Sequence, residues 1–140
     1  MSEMQNIAAQ IYWSQRPNLA APGLSKRGGR GLFALSDIPP GALIDRACTV
    51  EIGEAQTKTL DDIRPVGDYY FAHPENERAG LMAYGLMAFI NHAEEPNADV
   101  LWKNDRDLGW LADLVSTRAI RAGEEITYRY KCPLWFPARG

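Results

Sequence analysis

Two cysteines and two histidines are all that 140 residues contain of the commonest metal-binding and redox side chains. Cys48 and Cys132 are too few and too far apart for a disulfide framework, and they cannot build a four-thiolate zinc site. His73 and His92 have no second histidine, cysteine pair or serine elbow beside them in sequence, so metal ligation and a nucleophile–base triad both lack material. Net positive charge is missing too. Fifteen Lys and Arg stand against eighteen Asp and Glu, a balance of −3. No diffuse field is available to hold a nucleic-acid backbone, and direct nucleic-acid binding is disfavoured. The one basic cluster, Lys26-Arg27-Gly28-Gly29-Arg30, is too short for a targeting run. The longest apolar stretch, Gly80 to Ile90, falls well short of the roughly 20 residues a membrane helix needs. Met1 to Gln10 has neither the basic flank nor the apolar core of a secretory signal. The reading is a reducing, cytoplasmic compartment with no membrane association, or a nuclear one if the source is eukaryotic or viral.

What the chain does have is the material of one domain with a single core. Hydrophobic residues make up 46% and charged residues 24%, as in an ordinary globular protein. Gly31 to Ala34, Ala42 to Ile44 and Cys48 to Ile52 read as short strands, and Asp68 to Ala72 is aromatic and strand-like. Gly53 to Arg64 reads as a surface connection or short helix, and Pro74 to Arg78 as a polar turn. Ala98 to Trp102 and Leu111 to Ser116 look like strands paired around Asn104 to Asp107, and Glu125 to Tyr130 is the last strand. Gly80 to Ile90 is apolar throughout, so its periodicity does not separate helix from strand. Ser36 to Gly41 is a turn with proline-set dihedrals, and Ala119 to Gly123 echoes it. Many short strands broken by glycine and proline predict a mostly β domain with little helix.

Two features then bear on chemistry. Gly28, Gly29 and Gly31 precede an apolar strand, whereas a phosphate-binding loop would feed a helix N-terminus. They suit either a simple hairpin turn or a close backbone approach to a ligand. Asn91-His92 ends an apolar run and is followed, after three residues, by Pro96-Asn97. A buried amide here reads as loop closure as readily as it reads as a site. Tyr128 and Tyr130, at alternate strand positions, share one face and suit packing as well as chemistry.

Taken in order, Gly29-Arg30-Gly31-Leu32-Phe33-Ala34, Asp68-Tyr69-Tyr70-Phe71 ahead of Gly85 to Ile90, Asn91-His92 with Pro96-Asn97, and Gly123 to Tyr130 resemble the SET-domain protein-lysine methyltransferases. The likeness runs from about Ser25 to Trp135 and includes the small stand-alone viral and bacterial type. It implies a β-clip-like fold of several small curved sheets, with a C-terminal pseudoknot and few short helices. It implies methyl transfer from S-adenosyl-L-methionine to a lysine of a protein or peptide substrate, as in the histone-lysine methyltransferases, with no metal. By the same resemblance Gly29, Arg30, Gly31 and Leu32 line the methionine end of the cofactor, and Asn91 and His92 contact its amino and adenine parts. Tyr130 stands at the methyl-transfer centre, Tyr69 lines the lysine channel, and Tyr128 tunes how many methyls are added, mono- or dimethylation being expected.

The resemblance divides the chain into an N-terminal extension packed on the domain (1–24), the SET domain (25–131) and a tail that caps the lysine channel (132–140). The tail lacks the cysteine-rich zinc segment of many family members, so Trp135, counted among the cofactor contacts, and Phe136 either fold over the channel or bury against the core. Ala93 replaces the family's serine or cysteine after Asn-His. That departure motivates an alternative, a catalytically inactive SET-like module binding a peptide or protein partner; a third reading is a structural β domain whose aromatics are all core. Substrate specificity must come from the domain's own groove or from a homodimer.

Overall fold

The structure is a computed structural model and describes residues 18–130. Two sheets carry it. The smaller contains β1 (Ala20–Leu24), β2 (Arg30–Ala34), β9 (Glu125–Tyr128) and β6 (Asn91–His92), hydrogen-bonded in that order. The larger has the order β4 (Tyr70–His73), β5 (Asn76–Tyr84), β3 (Leu43–Ile52), β8 (Gly109–Ser116) and β7 (Ala98–Asp105). A single α-helix, α1 (Glu54–Asp61), and two 3-10 turns, Val66–Asp68 and Leu86–Phe89, complete the elements among the described residues. The mostly β architecture with small curved sheets and few short helices is the one expected.

The glycine loop is a hairpin. β1 and β2 pair antiparallel from Ala20↔Ala34 to Leu24↔Arg30. Gly28 and Gly29 turn the chain with φ of 102° and 65°, a region costly for any residue with a Cβ. β7 and β8 form the second long hairpin, in register from Ala98↔Ser116 to Asp105↔Gly109. Its turn is closed by Asp105, whose Oδ1 accepts the N–H groups of Asp107 and Leu108, each at 2.9 Å.

The echo between the two IxxG turns has a structural counterpart. Ile38 and Ile120 exchange backbone hydrogen bonds of 2.7 and 2.8 Å, forming an isolated antiparallel bridge. Gly41 N–H donates to the Ser116 carbonyl, and Gly123 N–H to the Ala34 carbonyl, both at 2.8 Å. Each turn thus caps the strand leading into the other, and both glycines have positive φ. The two isoleucines, each 1% exposed, join Leu32, Leu114 and Ile126 in the core between the sheets.

Three segments differ from the sequence reading. The strands read at 42–44 and 48–52 are one strand, β3, with a register shift between Leu43 and Asp45. The polar Asp45-Arg46 break is absorbed because Arg46 pairs in bidentate fashion with Asp113 on β8, at 2.6 and 2.8 Å. β5 begins at Asn76, so the turn is shorter than Pro74 to Arg78. The apolar stretch 80–90 changes type midway, from β5 to the 3-10 turn Leu86–Phe89. Asp45 supplies the reason: its Oδ2 accepts the Met87 N–H at 3.0 Å, meeting an amide that the end of β5 leaves unpaired. Gly85 makes room, since a Cβ there would lie 2.8 Å from Asp45 Oδ2 and 3.0 Å from Ala47 Cβ.

Burial raises the Asp45 pKa above its ordinary 3.8, outweighing the backbone donors that lower it. The fold therefore disfavours the carboxylate. Its contribution to stability is complete below pH 3.8 and is lost as pH rises through the elevated value. Asp45→Asn keeps an acceptor for Met87 and removes the charge. Its stability relative to the parent should rise between acid and neutral pH in urea titrations; a constant difference would contradict this.

Candidate functional site

Four segments distant in sequence meet at a cleft of about 390 Å³. Gly29 and Arg30 come from the β1–β2 hairpin, Asp68 and Tyr69 from the first 3-10 turn, Ala88 to His92 from the second 3-10 turn and β6, and Tyr130 from beyond β9. Of the residues singled out in the sequence, Gly29, Arg30, Tyr69, Asn91, His92 and Tyr130 all line it. Gly31 and Leu32 lie beneath it, buried in β2, with Leu32 fully enclosed. Tyr128 is 3% exposed and sits behind the cleft, its ring 6.1 Å from that of Tyr130. Trp135, Phe136 and the 132–140 tail lie outside the described residues, as do residues 1–17 of the N-terminal extension; its remainder includes β1.

The floor of the cleft is a polar network. The Asn91 amide donates to the Arg30 carbonyl at 3.0 Å and to Glu125 Oε2 at 2.8 Å. Glu125 Oε1 accepts from the Ser25 hydroxyl at 2.7 Å, and Arg27 Nε is 3.7 Å from it. Asn97, 2% exposed, closes the loop from the other side. Its amide donates to Glu124 Oε2 at 3.0 Å and to the Glu125 carbonyl at 2.8 Å, while its oxygen accepts the Thr127 N–H at 2.8 Å. Pro96-Asn97 therefore fastens the Asn-His loop to β9. The fastening supports a parallel pairing of two residues, Asn91↔Thr127 and His92↔Tyr128, which could not hold alone.

His92 is oriented at both nitrogens. Nδ1 accepts the Tyr130 N–H at 3.0 Å, so in the neutral ring the proton resides on Nε2, 3.1 Å from Glu94 Oε1. The His92 hydrogen bond, followed by the Arg129 charge, lowers the Glu94 pKa. The imidazole thus positions the backbone of Tyr130, whose hydroxyl donates to the Ile90 carbonyl at 3.2 Å. The ring of Tyr130 lies 5.1 Å from that of His92.

Arg30 forms one wall. Its guanidinium lies 4.7 Å from the Phe89 ring centroid and donates to the Tyr69 hydroxyl at 3.3 Å. Tyr69 and Phe89 meet edge to face at 6.4 Å. Behind this wall lies a second cavity of about 970 Å³, which shares Arg30, Tyr69, Ala88 and Phe89 with the cleft. Sequence reasoning passed over Glu125 and Phe71. Phe71 packs edge to face on Tyr128 at 5.6 Å and on Trp102 at 5.7 Å, linking the two tyrosines to the larger sheet. The Asp68-Tyr69-Tyr70-Phe71 run held the signal, because in β4 Phe71 turns to the opposite face from Tyr70.

Among the described residues no group of three or more His, Cys, Asp or Glu is placed to hold a metal, and no helix is long and apolar enough to cross a membrane. Gly31 is where the network is least tolerant. A Cβ there would overlap Glu125 Oε2 and stand 3.0 Å from Asn91 Nδ2. Gly31→Ala should displace Glu125, break its bond to Asn91 and cost about 1–3 kcal/mol in chemical denaturation. An unchanged midpoint would mean that the carboxylate is not held as described.

Comparison with known proteins converges on one family. The SET domain signature matches residues 29–131. The H3 lysine-37-specific histone-lysine N-methyltransferase of Schizosaccharomyces pombe is 28% identical over 112 residues, covering 80% of this chain and 73% of that protein. A candidate histone methyltransferase of Plasmodium falciparum superposes with a TM-score of 0.69 at 24% identity, over 86% of this chain and 100% of that one. A humanized mutant of the Chaetomium thermophilum Polycomb Repressive Complex 2, bound to an inhibitor, contains a chain with a TM-score of 0.68 at 25% identity. That match covers 83% of this chain and only 15% of the larger one.

Proposed function

Because this chain belongs to the SET-domain family, we propose that it transfers methyl groups from S-adenosyl-L-methionine to the side-chain amine of a lysine in a protein substrate. The observation that carries the reading is the convergence of Gly29, Arg30, Asn91, His92 and Tyr130 on one cleft. Its size, about 390 Å³, is that of a small-molecule site. Its lining suits a zwitterionic nucleoside: cationic Arg30 for a carboxylate, the Arg64–Asp68 ion pair for further polar contact, and the rings of Phe89 and Tyr69 for apolar surface. When bound, that donor supplies an electrophilic methyl carbon beside a positive sulfonium.

The protein's own residues do the rest. Transfer to a neutral amine is an in-line displacement, so alignment carries much of the acceleration. Keeping a lysine neutral at pH 7 costs about 4.6 kcal/mol from its reference pKa. An aromatic, water-poor passage lowers that cost by disfavouring the ammonium. Tyr128, Tyr130 and Tyr69 are assigned to its wall, with Phe71 behind Tyr128. The Tyr130 hydroxyl, with its proton directed to the Ile90 carbonyl, offers oxygen as an acceptor to the amine or to weak C–H donors. No dedicated base is required. The catalytic unit is assigned to residues 25–131.

A catalytically silent module would be favoured if Ala93 weakened the Asn-His loop. What opposes it is that Ala93 N–H donates to the Tyr128 carbonyl at 3.1 Å, continuing the β6–β9 pairing without a hydroxyl. The S. pombe relative's specificity for histone H3 makes a histone tail one option for the acceptor. Where the source has no histones, another protein takes that place.

Tyr130→Phe should reduce turnover to background while calorimetry still registers S-adenosylmethionine; full activity would remove this residue from the reaction. Wild-type protein that binds no S-adenosylmethionine would instead favour the silent module. For Tyr128→Phe, intact-mass spectrometry of the substrate should register a higher methylation state, since the lost hydroxyl frees space for another methyl. An unchanged product distribution would assign Tyr128 to packing alone.

A further inference from the structure

We propose that β7 is the docking edge for a second copy of this chain, joined strand to strand and antiparallel about Leu101. β7 ends the larger sheet and, among the described residues, pairs with β8 alone. The other sheet edges are blunted. β1 carries Pro22, β4 has four residues and a register shift between Ala72 and His73, and β6 has two residues. β7 has eight residues, no proline and an unbroken register with β8. An edge of that kind is a template for another strand.

The Asn97 carbonyl accepts the Thr117 N–H at 2.9 Å, which fixes the alternation along the ladder. The odd-numbered residues of β7 bond to β8, and Ala98, Val100, Trp102 and Asn104 aim their backbone groups the other way. Val100 agrees, since its N–H donates to the Asp99 carboxylate at 2.9 Å rather than to a strand.

The charges select both the occupant and the register. Outward residues must pair with outward residues, so with most of β7 overlapped the two-fold axis falls at Val100, Leu101 or Trp102. At Val100 the axis would set Asp99 against Leu101, and at Trp102 it would set Asp99 against Asp105 of the second copy. At Leu101 the strand is complementary to itself. Asp99 then opposes Lys103 of the second copy, Val100 exchanges hydrogen bonds with Trp102, and the two Leu101 side chains meet on the axis. Leu101 is 57% exposed, and its pair is of the kind that brings side chains closest. Charges on an edge strand ordinarily repel a newcomer; here they have opposite sign and stand two residues to either side of Leu101, so one register makes them attract. On pairing, the Val100 N–H passes to the second strand and Asp99 is released to face Lys103. This pairing does not depend on the methyltransferase reading.

Sedimentation velocity of the intact chain over a concentration series tests the proposal. Wild type should pass from monomer to dimer as concentration rises. Asp99→Lys and Lys103→Asp each place like charges opposite one another across the axis, and each should weaken association by about tenfold. Mixing the two variants brings opposite charges together again and should restore a mixed dimer of near wild-type affinity. The double variant Asp99→Lys/Lys103→Asp should likewise recover self-association. Wild type that stays monomeric across the series overturns the proposal, and slow amide exchange at Val100 in that monomer would assign the edge to a segment of the same chain. A dimer that survives either single substitution unchanged, or whose loss is not recovered in the mixture, overturns it as well.

Discussion

One carboxylate organises the cleft. Glu125 is the first residue of β9, yet its two oxygens reach the hairpin loop at Ser25 and the apolar run's end at Asn91. Asn91 in turn holds the Arg30 carbonyl. Three segments with no local reason to meet are thereby fixed within a few ångströms. Hydrogen bonds to a charged acceptor are stronger than those between neutral groups, and the partial burial of these limits competition from water. The backbone of Gly31 has to lie flat against this carboxylate, which is why a residue without a Cβ occupies the position.

The rest of the architecture serves to bring β9 to that place. β9 lies between β2 and β6, antiparallel to one and parallel to the other. Asn97 supplies the hydrogen bonds that a two-residue parallel ladder lacks. The Ile38–Ile120 bridge fixes the point at which the chain turns into β9, and His92 fixes the point at which it leaves. Tyr128 and Tyr130 then differ in environment although they are two residues apart: one is locked between Phe71 and the core, the other lines the cleft.

Much of this was legible in the residues, and what was not has specific physical causes. The β7–β8 hairpin was readable because alternation and an Asn-Asp-rich turn are local signals. The similarity of the two IxxG turns was also visible, but their mutual pairing was not, since they are 82 positions apart and nothing local encodes the partner. β3 was read as two strands because Asp45-Arg46 looks like a break; its compensation by Asp113 and Met87 is tertiary. The apolar stretch 80–90 had no period to read, and a single half-buried acceptor, Asp45, decides where it leaves the sheet. At the site, the family pattern named Gly29, Arg30, Tyr69, Asn91, His92 and Tyr130, which line the cleft, and also Gly31, Leu32 and Tyr128, which do not. It passed over Glu125, whose role is to hold another side chain, and Phe71, which acts through Tyr128.

The span of the Ser25–Glu125 bond has a consequence for the life of the molecule. It joins residues 100 positions apart, and the strand that completes it comes last in chain order among the described residues. A growing polypeptide can form the β1–β2 and β7–β8 hairpins early, but the cleft has no floor until β9 emerges and slides between its neighbours. The same linkage operates in the finished protein. Any molecule that binds the cleft and not the form with β9 detached must hold that strand in place, so occupancy and attachment rise and fall together.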